Sequence, residues 1–163
     1  MKSDIIRNSA KALFLREGLL LLNQHRTSLG EVYYDLPGGG QHPYETMEEA
    51  VVREVLEETG FTVEPLRFAA LAEEIFTNED MRQRYPQYCH RTMHIFVVRQ
   101  APGTGQGALC ELDFQQTGSV WVTPEEAGRL PLVPLQLRGR VAEVLKAPGP
   151  IYLGSVRRDE VCM

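Results

Sequence analysis

The chain reads as a layered α/β domain. Extended apolar runs alternate with stretches of helical periodicity, and no block of the sequence repeats. Two helix-start signals, Thr46-x-x-Glu49 and Thr123-Pro124-Glu125-Glu126, fall between and after the extended runs. At 163 residues the chain suits one domain spanning 1–163. A domain of this length buries about 70% of its unfolded surface, enough for a full core.

Ala10 to Arg16 and Leu19 to Asn23 read as strands around Glu17-Gly18, and Val32 to Leu36 follows after a polar loop. Tyr33 and Tyr34 point to opposite faces of that third strand, so one enters the core and the other is placed to line a pocket. Gly38-Gly39-Gly40 reads as a tight turn with access to positive φ. Thr46 and Glu49 form a capping box that starts a helix at Met47, and Gly60 ends it as a left-handed residue. Phe61 to Ile75 is extended and broken by a turn or bulge, and His90 to Arg99 is a strand. Between them Phe76 to Cys89 is polar and aromatic, a loop long enough to cover a site. Ala101 to Ala108 is a glycine-rich loop and Ser119 to Val122 a short strand. Pro124 follows the second cap at the first helical position, and Leu135 to Lys146 has the spacing of a final helix.

Composition narrows the function. A net charge of −5 argues against general nucleic-acid binding and suits a polyanionic substrate that enters with its cation. Cys89, Cys110 and Cys162 lack metal-like spacing, and their odd number fits a reducing compartment. Asp4 comes early and the apolar run Leu19 to Leu22 is short, so neither a signal peptide nor a membrane span is expected, and the location expected is cytoplasmic. His90 and His94 share a strand face, but four residues of strand separate them by about 13 Å, too far for one ion.

The chemistry concentrates in Glu54, Glu57 and Glu58. At i, i+3 and i+4 of a helix their carboxylates are neighbours, and each like-charged i,i+4 pair costs a few tenths of a kcal/mol. Near a helix C-terminus they also face the negative end of the macrodipole. Their arc borders the apolar arc of Val51, Val52, Val55 and Leu56, although Glu48 interrupts the apolar side. That arrangement is poor for stability and suits a hard divalent cation, which takes oxygen ligands at about 2.1 Å in the case of magnesium. Arg53 has the i,i+4 spacing to reach Glu49 and Glu57 and so to offset part of the crowding. The glycines form neither G-x-G-x-x-G opening a helix nor a P-loop, since no Gly-Lys-Ser/Thr follows them.

From Gly39 to Phe61 the chain fits G-x5-E-x7-R-E-V-x-E-E-x-G-hydrophobic at every fixed position, through Glu45, Arg53, Glu54, Glu57, Glu58 and Gly60. This segment resembles the Nudix box of the Nudix hydrolases. The resemblance is direct over residues 39–61, and the rest of the chain agrees in length and order of elements. It implies a Nudix-like α/β/α sandwich with a mixed β-sheet. It also implies hydrolysis of a pyrophosphate bond in a nucleoside diphosphate linked to another group, with Mg2+ as cofactor and Mn2+ as a substitute.

On this resemblance Glu57 and Glu58 are metal ligands, and Glu54 is a third ligand, the general base, or both in different states. Backbone at Gly38 and Gly39 completes the metal shell, with Gly39 counted among the ligands. Glu45 and Arg53 orient the loop and the ligands, so the catalytic set is Glu54, Arg53 and Glu45. In some relatives the base lies on a later loop, where this chain offers Glu111, Asp113 and Gln116 before Trp121. Substrate contacts are expected from Gly38 and Gly40 and from the long loop, where Arg82, Arg84, Tyr85 and Tyr88 combine cations with rings, Arg84 and Tyr85 foremost.

His42 stands where many members have an acid, and Tyr44 where a glycine is frequent. Phe76 replaces a proline common in ADP-ribose hydrolases, and Thr77 and Asn78 replace a tyrosine common in diadenosine polyphosphate hydrolases. The leading expectation is therefore a nucleoside triphosphate or related small nucleotide. A nucleotide sugar resembling ADP-ribose is the alternative, followed by a regulatory domain that binds a nucleotide without cleaving it. A homodimer is expected from the same resemblance.

Overall fold

The computed structural model describes residues 5–109, 112 and 114–159. Asp4, Cys110, Glu111, Asp113 and Cys162 lie outside the described residues. The elements run β1 (Arg7–Arg16), β2 (Leu19–Arg26), β3 (Val32–Asp35), β4 (Gly38–Gly40), α1 (Met47–Thr59), β5 (Val63–Phe76), α2 (Glu79–Arg84), β6 (His90–Gln100), β7 (Gln116–Val122), α3 (Pro124–Ala127), β8 (Leu132–Val133), α4 (Val141–Lys146) and β9 (Ile151–Arg158).

Among the described residues the strands join into one mixed sheet in the order β8-β3-β2-β1-β6-β5-β9, with β4 added on β1 and β7 on β2. β1 runs parallel to β6, β3 to β8 and β5 to β9, while the remaining pairs are antiparallel. Strand alternation sends Ala10, Ala12 and Phe14 of β1 to one face, where they meet Ala50, Val51 and Val55 of α1. Leu13 goes to the other face and packs with Ala127, Val141 and Val144 of α3 and α4. Two apolar layers on opposite faces of a mixed sheet make the α/β/α sandwich.

β1 pairs with β4 along Ser9 to Lys11 and with β2 only at Leu15 and Arg16. The sheet therefore opens between β1 and β2, and the glycine strand sits in the opening. This split places the three glycines beneath α1.

Several expectations change. The run Leu135 to Lys146 is not one helix. Leu135–Leu137 is a 3-10 turn, Gly139 takes a left-handed φ of 73°, and only Val141–Lys146 is α-helical. The segment Phe76 to Cys89 is not an open loop either. Asn78 caps α2 by accepting from the Met81 N–H, and Phe76, Met81 and Cys89 bury together as a small core of their own. The long strand β5 does carry its expected irregularities, register shifts at Pro65/Arg67 and Phe68/Ala70. No helix among the described residues is long and apolar enough to cross a membrane.

Candidate active site

Helix α1 is fixed at both ends. The Thr46 hydroxyl accepts from the Glu49 N–H at 3.1 Å and the Glu49 carboxylate accepts from the Thr46 N–H at 2.8 Å, a box whose hydroxyl is worth about 1 kcal/mol. At the other end Gly60 is left-handed, with φ 75° and ψ 3°. Gly107 donates to the Gly60 carbonyl, Gln106 to that of Thr59 and Gln116 to that of Glu58. These donors answer carbonyls a helix end leaves open and moderate the negative field beside Glu57 and Glu58. Phe61 then locks the exit edge-to-face against Phe14 and Trp121.

With Glu49 engaged in the cap, Arg53 turns instead to Glu45, donating to both of its carboxylate oxygens at 2.7 and 2.9 Å. The same guanidinium donates to Glu54 Oε1 at 2.8 Å, the Gly40 carbonyl at 2.9 Å and, weakly, Glu57 Oε2 at 3.3 Å. The Arg53 hydrogen bond draws the Glu45 carboxyl down to about 2, with the His42 N–H assisting against the opposing effect of burial. Glu45 thus ties the loop Gln41–Glu45 to the helix.

The glycines are a short strand, not a tight turn, and only Gly38 has a positive φ, at 136°. What requires glycine is close approach. A β-carbon on Gly38 would strike the Ala10 carbonyl oxygen and lie 2.8 Å from Lys11 Cα. On Gly39 it would lie 2.6 Å from the Glu54 carboxylate carbon, and on Gly40 2.6 Å from the Arg7 guanidinium carbon.

The three carboxylates share one end of α1 but do not converge on one point. Glu58 is buried and turned inward, where its Oε2 accepts from the Gly38 N–H at 2.9 Å and from Asn23 Nδ2 at 2.7 Å. Glu54 faces Gly39, and Glu57 stands outermost beside Arg53. Among the described residues no three His, Cys, Asp or Glu side chains form a finished metal cage. The donor set still fits a hard cation. Glu54 Oε2 and Glu57 Oε1 accept no hydrogen bond from described residues, and the two carboxylates share a single ion-pair partner among those residues, Arg53.

Lys11 completes the arrangement and was not singled out from the sequence. Buried in β1, it donates to Asp35 Oδ2 at 2.7 Å, to the Gly38 carbonyl at 2.8 Å and to the Leu36 carbonyl at 3.3 Å. Burial alone would depress its ammonium, but the charges of Asp35 and Glu58 outweigh that and its pKa is raised. The Gly38 carbonyl, expected to face a metal, therefore faces Lys11. The available signal was a lysine inside the otherwise apolar run Ala10 to Leu15.

A model of the NUDIX domain matches residues 6–145. This chain belongs to the Nudix family. It is 37% identical over 108 residues to a Bacillus subtilis (strain 168) protein named "Putative 8-oxo-dGTP diphosphatase", a match covering 66% of this chain and 59% of that relative's length. A solved MutT protein from Methanosarcina mazei is 25% identical, with a TM-score of 0.61 over 90% of this chain and all of that one (100%). A NUDIX hydrolase from Nitrosomonas europaea reaches 0.66 at 17% identity over 86% and 88% of the two chains. An ADP-ribose pyrophosphatase from Streptococcus suis reaches 0.59 at 19% identity over 93% of this chain and 100% of that one.

Around the Nudix box the other candidates divide. Arg84 pairs with Asp80 at 2.9 Å on its own helix, and Tyr85 closes the end of that helix; no described contact joins either to the glycine strand. Arg82 donates to the Phe76 carbonyl. Tyr88 is linked to the site, because Arg7, which touches Gly40, lies 5.0 Å over its ring. Gln116 is buried and clamps the α1 terminus, a role unlike that of a base. Tyr44, at the frequent glycine position, adopts a left-handed φ of 66° and is fully exposed. A shallow cleft of about 480 Å³ is formed by box residues Glu45, Glu48, Glu49, Val52 and Arg53 together with Pro65. Its three carboxylates against one guanidinium make it unsuited to a phosphate.

Proposed function

We propose that this Nudix chain hydrolyses a pyrophosphate bond in a nucleoside diphosphate linked to another group, with a nucleoside triphosphate or related small nucleotide as substrate. The observation that carries the reading is the end of α1: Glu54 and Glu57 keep oxygens without hydrogen-bond donors beside Gly39, and Glu58 is held by the Gly38 N–H. Glu54, Glu57 and Glu58 would hold the divalent cation, Mg2+ or Mn2+, which when bound neutralises phosphate charge and acidifies water. Gly39 lets the Glu54 carboxylate lie against bare backbone, and its Oε2 would take a proton from the attacking water. Arg53 keeps Glu54 in that orientation, and Glu45 keeps Arg53 from swinging away. The name of the Bacillus subtilis relative supports a nucleoside triphosphate. A cytoplasmic homodimer with one domain per chain completes the proposal.

The test is a Mg2+- or Mn2+-dependent hydrolysis screen over nucleoside triphosphates, nucleotide sugars and dinucleoside polyphosphates, with Glu57→Gln as control. The expected result is preferred release from a nucleoside triphosphate, with the variant folded and at least about a hundredfold slower. Equal rates for the two proteins would remove Glu57 from the site.

A further inference from the structure

The acidic side of the glycine strand has a basic counterpart on its other side. Strand alternation gives the geometry: Gly39 faces Glu54 and α1, so Gly38 and Gly40 face the opposite way. Arg7 of β1 lies there, two residues from Ser9, which is paired with Gly40. Its guanidinium presses on Gly40 so closely that any side chain at that position would displace it. Arg53 reaches the carbonyl of the same glycine from α1. Gly40 is therefore a bare strip of backbone with one guanidinium on each side.

Arg53 is saturated with carboxylates, whereas Arg7 is not. Among the described residues no carboxylate lies within ion-pair distance of Arg7, and its neighbour across the parallel ladder is another cation, Arg91. Arg91 and Arg158 both turn to the buried Glu74 and to the ring of Phe76. Among the described residues Arg7 turns instead to a ring, that of Tyr88. Tyr88 is held by the 3-10 turn Pro86–Tyr88, which the small core of Phe76, Met81 and Cys89 anchors to the end of the sheet. A half-buried guanidinium fixed against an aromatic face, beside a second guanidinium and with no counter-ion among the described residues, is an anion site prepared in advance.

We propose that Arg7, steadied by Tyr88, binds a phosphate of the substrate that is not the one attacked, with the polyphosphate crossing the edge of the strand at Gly40. The inference rests on the nucleotide-hydrolase reading above and adds a substrate-binding residue to it. Because the contact is made equally in ground and transition states, losing it raises KM and leaves kcat nearly unchanged.

The experiment has two arms, steady-state kinetics on a deoxynucleoside triphosphate and calorimetric titration of the metal-free protein with inorganic pyrophosphate at low ionic strength. Both compare wild type with Arg7→Ala, Arg7→Lys and Tyr88→Ala, with thermal unfolding recorded for each. Arg7→Ala should raise KM about ten- to a hundredfold, keep kcat within about threefold, and weaken pyrophosphate binding to the same degree. Arg7→Lys should fall between, and Tyr88→Ala should shift KM in the same direction by less. If Arg7→Ala lowers the unfolding temperature but leaves KM and pyrophosphate affinity as in wild type, Arg7 is a structural staple and the proposal fails while hydrolysis stands. If no nucleotide is cleaved yet pyrophosphate binding still depends on Arg7, the hydrolase reading fails and the anion site stands. Loss of both signals overturns both.

Discussion

Gly38 and Gly39 are adjacent and look alike in the sequence, yet they are glycines for different reasons. At Gly38 a methyl group would collide with the backbone of Ala10 and sit at a φ of 136°. At Gly39 the three atoms nearest to it would all belong to the Glu54 carboxylate, the movable end of a side chain. Gly38→Ala should therefore cost about 2 kcal/mol or more in denaturant unfolding. Gly39→Ala should stay within about 1 kcal/mol of wild type and still lose most activity, because it displaces Glu54. Glu45 supplies a pH effect. Its carboxyl is depressed from 4.5 to about 2 in the folded chain, so in that window the unfolded chain binds the extra proton. Stability is then fully present above about 4.5 and falls as the pH drops toward 2. Acid unfolding of Glu45→Gln should lack that component, with a shallower dependence on pH over the same window.

α1 was legible residue by residue. Its cap at Thr46, start at Met47 and left-handed stop at Gly60 all follow from local chemistry, and all are present. Elements defined by distant partners were not legible. β9 takes its ladder from β5, and Gly154, at a φ of 91°, interrupts its alternation. The apolar spacing of Leu135 to Lys146 continues through Gly139, but the left-handed backbone of that glycine divides the run into a 3-10 turn and a short helix. The site shows the same division. The carboxylates announce themselves by spacing, whereas Lys11 and Asn23 reach Gly38 and Glu58 only once β1 and β2 lie beside the glycine strand. Lys11 should matter as much as any residue of the box. Lys11→Met leaves Asp35 and the Gly38 carbonyl buried without their donor, so unfolding stability should fall by about 3–5 kcal/mol. Adding Asp35→Leu should recover part of that stability and none of the activity.

For the whole molecule, the sheet topology creates the site. β1 exchanges β2 for β4 partway along its length, and the opening admits a strand thin enough for α1 to bring carboxylates against its backbone. The layered α/β architecture was readable from the alternation of elements, but this opening was not, because it depends on the register of three strands. The arrangement as a whole predicts that one cation-binding locus forms at the end of α1 and that its affinity depends on Glu57. Titration of the metal-free protein with Mn2+, followed by electron paramagnetic resonance, measures this without any substrate. Wild type should bind saturably, and Glu57→Gln should bind at least about tenfold more weakly with an unchanged unfolding curve. Equal Mn2+ affinity in the two proteins would contradict the account.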